Sequence, residues 1–138
     1  MRKLDILLFL AGTSSLAATW VYQMSIDLQS VPTIVNGAAS SMSIIVAFTG
    51  VLITFAVSNR LLKLQRQVRL RLYFTILLLA LSLTFLYGTY IYLMLGDYYA
   101  GFKMSITGLT ISIETFISFI SFFVSQLWPS SQSTNQDK

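Results

Sequence analysis

Apolar residues along this chain neither alternate nor recur as a single stripe. They run almost unbroken through four stretches, about Leu4 to Tyr22, Thr33 to Ser58, Leu72 to Leu95 and Phe102 to Trp128. Crossing a bilayer takes about 20 residues of helix, so each stretch predicts a transmembrane helix. A membrane β-barrel would need alternating segments of about ten residues, and none is present. Ser30 and Pro32 suit the start of the second helix. Gly96 and Asp97 suit a stop after the third, and Pro129 ends the fourth. Short connections predict antiparallel sequential neighbours. The expected fold class is an all-α integral membrane protein, an antiparallel four-transmembrane-helix bundle forming one domain over residues 1–128. The polar tail, 129–138, lacks periodicity and is expected to be disordered.

The first stretch has a competing reading. Arg2 and Lys3, an apolar run and SerLeuAla at 15–17 resemble a secretory signal peptide with a small-residue cleavage site. The apolar run continues past that site to Tyr22, so a retained helix is the expectation.

Composition removes whole classes of function. Of 138 residues 55% are hydrophobic and only 10% charged, and the mean hydropathy is +0.72. A soluble domain carries about 25% charged residues, so the solvent of this chain is largely lipid. The net charge of +4 does not point to nucleic acid, because its basic residues alternate with Leu and Val and no base-stacking surface is visible. Cysteine and histidine are absent, which removes disulfides, thiolate chemistry and the commonest general base and metal ligand. With no phosphate loop, no metal-ligand cluster and no nucleophile beside a base, neither an enzyme nor a bound cofactor is expected.

The charges that remain set the topology. Arg60, Lys63, Arg66, Arg69 and Arg71 fall in a basic linker, 59–71, between the second and third helices, with no acidic residue among them. The positive-inside tendency places that linker and both termini in the cytoplasm of a multi-pass protein. Leu61, Leu64 and Val68 recur at helical spacing among these cations. The linker therefore reads either as a helix extension lying in the headgroups, its cations in contact with anionic lipid at about 1 kcal/mol each, or as a segment that only sets topology. Trp20, Tyr22, Tyr73, Tyr98, Tyr99 and Trp128 lie near the expected interfaces, as an aromatic belt would place them. Tyr87, Tyr90 and Tyr92 crowd the outer half of the third helix, where they line a vestibule or anchor the interface.

Small residues recur on three helices. Ala11, Ser14 or Ser15, and Ala18 do so in the first, and Asn36, Ser40, Ser43, Ala47, Gly50, Thr54 and Ser58 form a continuous series in the second. In the fourth the series is Thr107, Thr110, Glu114, Ser118, Ser121 and Ser125. Membrane helices pack through such residues because lipid tails do not drive helices together. The partner of each seam is left open: another helix of this chain, a second copy or a different subunit.

Glu114 stands apart from these hydroxyls. It sits close to the middle of the fourth helix, with no Lys, Arg or His within ten residues on either side. A charge at that depth costs at least about 2.5 kcal/mol on insertion scales, so it should face protein or water. Desolvation favours the neutral form of an isolated carboxyl there. Matched depths put Thr13, Ser14 and Ser15 of the first helix and Ser82 and Thr84 of the third beside it. The expected site is therefore Glu114 with Ser14, Ser15, Thr110, Ser118, Ser82 and Thr84, binding or relaying a proton or small cation. A pore through one four-helix bundle is cramped, so a channel would lie on the axis of a homo-oligomer. The alternatives are pairing of Glu114 with a basic residue in a partner subunit, and a permanently protonated structural acid. A transporter would leave a hydrated cavity at Glu114. An accessory subunit would turn it outward from a sealed bundle.

Overall fold

The computed structural model describes residues 3–21, 27, 29–58 and 66–127. The expected contacts of Arg60 and Lys63, the interfacial roles of Tyr22 and Trp128 and the disordered tail lie outside those residues. The described chain is all helical, with α1 Lys3–Val21, α2 Val31–Ser58, α3 Arg66–Met94 and α4 Tyr98–Leu127. Three of the four, α2, α3 and α4, are long and apolar enough to cross a membrane. The apolar part of α1, Ile6–Val21, is shorter, so the expected equivalence of four spans becomes three long helices and a shorter one. Apolar side chains such as Leu7, Phe9, Phe48, Phe74 and Leu77 stand exposed on the outside, the reverse of a water-soluble protein and the mark of one embedded in lipid.

The helix ends follow from local chemistry. The carbonyl of Ser30 accepts the first bond of α2, from Ile34 N at 3.1 Å. At the far end of α3, Gly96 adopts a positive φ of 79°. Gly96 N bonds Leu93 O and Asp97 N bonds Tyr92 O, a Schellman ending that only a residue tolerant of left-handed backbone closes without strain. Asp97 then starts α4: its carboxylate accepts from Ala100 N at 3.0 Å and its carbonyl from Gly101 N. Asp27 likewise accepts from Gln29 N. Both acids terminate turns, so their chemistry is local.

α3 begins at Arg66, six residues before the expected Leu72, which moves Arg66, Arg69 and Arg71 from the linker into a helix. The reason lies in its buried face. Val68, Leu72, Thr75, Leu79 and Ser82 are buried at steps of four and three, so the packing period of the span already runs through the basic segment.

α4 is the hub of the molecule. α2 and α3 each pack on it and touch one another, whereas among the described residues α1 packs on α4 alone. The face of α4 toward α2 and α3 reads Gly101, Ser105, Gly108, Ser112, Thr115, Phe119 and Phe122, all buried. Its spacing of four and three is that of a close-packed helix seam. At one end Phe119 and Phe122 gather Ala56, Val68 and Leu72 into an apolar cluster. Along the rest, Met42 and Phe85 close over Gly108, and Leu93 over Gly101.

Within this chain α2 packs through a different face from the one that carries its small residues. Its buried positions are Val31, Val35, Ala38, Ala39, Met42, Thr49 and Ala56. Ser40, Ser43, Ala47, Gly50 and Thr54 are exposed on another face, so within this chain they are not a packing seam. Ser40, Ser43, Thr54 and Ser58 each donate to the carbonyl four residues back. A hydroxyl satisfied by its own helix needs no partner to reside in lipid.

Candidate functional site

The site is assembled on the second face of α4. Lys103, Thr107, Thr110, Glu114 and Ser118 fall within an arc of roughly 80°, turned away from α2 and toward α1. Three contacts hold α1 there. Trp20 Nε1 donates to Thr107 Oγ1 at 3.1 Å. Lys103 Nζ donates to the Trp20 carbonyl at 3.0 Å and lies 5.4 Å and 4.4 Å from the ring centroids of Trp20 and Tyr99. Such a cation near the last carbonyls of a helix is favoured by both the orphan acceptors and the helix dipole.

The third contact is Glu114 itself. Its carboxyl group rests on the backbone of Gly12, the one buried position among residues 6–21 of α1. A Cβ at Gly12 would overlap the carboxyl atoms. Only a residue without a side chain can accept the acid at this spot. Glu114 is half-buried and forms no hydrogen bond or ion pair with any described residue.

The hydroxyls expected around Glu114 are distributed unevenly. Thr110 lies one turn away on the same face and donates to Ile106 O at 2.9 Å. Ser14 and Ser15 follow Gly12 on α1 and are exposed, Ser14 donating to Leu10 O. Thr13 is also tied to its own helix, through Phe9 O and Leu10 O. Ser82, on α3, meets the other face of α4, where it is buried, donates to Gly108 O at 3.1 Å and shares a short hydrogen bond with Ser112. Thr84 is exposed and bonded to Ala80 O within α3. The structure thus brings Thr110 and the Gly12 segment to Glu114, and Ser82 and Thr84 elsewhere. Tyr87 and Tyr90 are exposed.

Ser118, one turn on from Glu114, has a cationic neighbour. Arg71 Nη2 donates to Ser118 Oγ at 3.1 Å and to Ser118 O at 3.4 Å, and its guanidinium lies 4.8 Å from the Phe122 ring centroid. Arg71, half-buried, thus also contacts α4. Arg66 and Arg69 remain exposed. Among the described residues no group of three or more acidic, His or Cys side chains could hold a metal ion.

Two participants, Gly12 and Arg71, escape a reading by residue type. Gly12 is the only glycine of the first apolar stretch and lies at the depth of Glu114, a signal available to anyone seeking a void for the acid. Arg71 is signalled by the four-three period of Val68, Leu72 and Thr75, which continues the helix through it. An open groove of about 550 Å³, lined by Ala47, Gly50, Val51, Thr54, Phe55 and Ser58, lies on α2, away from Glu114. Comparison with protein-family models, curated proteins and solved structures returns no match for this chain.

Proposed function

We propose that the chain is a multi-pass membrane protein that exchanges a proton or small cation at Glu114, with each helix running opposite to the next, although among the described residues α1 and α2 do not touch as sequential neighbours would, and with both termini cytoplasmic. The pairings support that course: Arg71 meets Ser118, Ser82 meets Ser112, and Leu93 meets Gly101, so partners on α4 fall as numbers on α3 rise. Gly12 against Glu114 and Trp20 against Thr107 do the same for α1. The arginines at the start of α3 support its placement on the cytoplasmic side.

The observation that carries the reading is the state of Glu114, half-buried on Gly12 in the middle of a long apolar helix and unpartnered by any described residue. An acid in that position draws its partner from outside the chain, and a proton or cation reaching it through water is the usual one. Reconstitution of the protein alone into liposomes tests this. Proton or alkali-cation flux in the wild type, lost in Glu114→Gln with folding unchanged, is the expected result. No flux above empty liposomes sinks it.

A second reading rests on α2. Its outward face of Ser40, Ser43, Ala47, Gly50 and Thr54 has nothing within 4 Å of a Cβ built at Gly50. Small residues exposed in this way suit a neighbouring membrane helix, as in an accessory or homo-oligomeric assembly.

A further inference from the structure

The exchange site proposed for Glu114 leaves the exchanged species open, and the oxygen atoms around the carboxyl group decide it. A cation held away from bulk water needs its hydration shell replaced by ligand oxygens, about six to eight of them for calcium and about six for magnesium. A proton needs one oxygen of the acid and a water to receive it.

On the α1 side the space is full. The carboxyl group itself occupies the position of the missing Cβ of Gly12. Leu8 and Leu16, one turn before and after Gly12, are half-buried and apolar, whereas Thr13, Ser14 and Ser15 are exposed. The carbonyls of Phe9 and Leu10 lie inside the helix and also accept from the hydroxyls of Thr13 and Ser14. On α4, Thr110 and Ser118 stand one turn either side of Glu114. Thr110 donates to Ile106 O and keeps its oxygen to offer. Ser118 Oγ already accepts from Arg71, so a cation sharing it would meet the guanidinium charge. Ser82 of α3 is engaged on the other face of α4, with Gly108 O and Ser112. The oxygens left for a cation are therefore the two of the carboxyl group and the Thr110 hydroxyl.

Charged groups do not make up the shortfall. α1 over residues 6–21 and α2 over 31–58 carry none. Asp5 lies in α1 seven residues before Gly12, about 10 Å along the axis, and Lys3 lies further still. Asp27 and Asp97 cap turns. On α3, Arg66 and Arg69 are exposed near its first turn and Arg71 is on Ser118. On α4, Lys103 is eleven residues from Glu114 and holds the Trp20 carbonyl.

We propose that the species exchanged at Glu114 is a proton, and that alkali and alkaline-earth cations do not bind there. This rests on Glu114 being the exchange site. On release the carboxyl O–H bond breaks, its electron pair stays on the carboxylate and the proton passes to water. On uptake a hydronium ion returns it. Glu114 is half-buried, so the surface left clear of Gly12 is where that water meets it. A hydrated cation at the same opening would be held by one carboxylate through water, as at any surface acid.

The test is labelling of Glu114 by dicyclohexylcarbodiimide, which reacts with protonated carboxyl groups in apolar surroundings. Full-length wild-type protein in liposomes is labelled across neutral and alkaline pH and read by peptide mass, with Glu114→Gln as the blank. At fixed pH and ionic strength, labelling in sodium, potassium, lithium or magnesium chloride should match that in choline chloride. It should fall as pH rises, by about tenfold per pH unit once most of the acid is ionised. Protection by one of these cations at constant pH, growing with its concentration, would overturn the proposal and leave Glu114 as a cation-exchange site. Labelling that ignores pH would mark a permanently protonated acid, and would overturn the proposal and the exchange reading together. The wild-type protein carries the measurement, so no variant has to fold for an answer. Labelling does not depend on flux, so labelling that follows pH and not salt, without flux, would strike the transport reading alone.

Discussion

The two faces of α4 are built from similar residues and do opposite things. Toward α2 and α3, Gly101, Ser105, Gly108, Ser112 and Thr115 are buried, and bulky side chains from the neighbours close over the glycines. Toward α1, Lys103, Thr107, Thr110 and Glu114 meet a helix whose described side chains are almost all exposed. On the first face the glycine belongs to α4 and the large group to the partner. On the second the roles are exchanged, with the glycine on α1 and the large group, a carboxylic acid, on α4. Complementary size fixes both contacts, but only the second places an ionisable atom inside one. Tight packing on one side of a helix thus gives a rigid mount for an ionisable group on the other.

Filling Gly108 attacks the packed face and should have the largest effect. A Cβ there would lie 2.6 Å from Met42 Cε and 3.1 Å from Phe85 Cβ. Met42 can move its methyl end, but Phe85 Cβ is fixed to the backbone of α3. Gly108→Val is expected to cost about 2–3 kcal/mol, or to prevent folding, measured by thermal unfolding in detergent. Gly50→Val, on the open face of α2, should stay within about 0.5 kcal/mol. Equal losses would mean that the two faces are packed alike.

Filling Gly12 attacks the contact with α1 instead. Gly12→Ala sets a methyl group against the Glu114 carboxyl group, and the expected cost is about 1–2 kcal/mol. Because the clash is with a side chain, Glu114→Ala should rescue it. A double-mutant cycle of the two substitutions should therefore show strong coupling. Additive effects would mean that Gly12 and Glu114 do not touch.

How much of this was legible beforehand depends on what decides each feature. Element existence is decided by long apolar runs, so four helices could be read off directly. α3 already runs at Arg66, before the expected Leu72, because Val68 carries the packing period past Arg66, Arg69 and Arg71. The small residues of α2 leave their partner open because they are as compatible with lipid as with another helix once their hydroxyls bond their own backbone. Val31, Val35 and Met42 mark the face that packs within this chain. Glu114 was visible as an anomaly of residue type, but its seat on Gly12 depends on how α1 and α4 rotate against each other. Rotation is set by side-chain fit, which residue types along one strand of sequence do not encode.

Ser82 separates the two faces most finely. By depth it belongs with Glu114, and by geometry it belongs to the packed face, where it bonds Gly108 O and Ser112. When Ser82 is removed, Ser112 still has Gly108 O, 2.9 Å away, to donate to, so no buried hydroxyl is stranded. Ser82→Ala should then cost only about 0.6 kcal/mol, the usual worth of one hydrogen bond between membrane helices. It should also leave flux and carbodiimide labelling of Glu114 at wild-type levels. A change in labelling with little change in stability would join the two faces into one polar network running through α4, and the division between mount and site would fall.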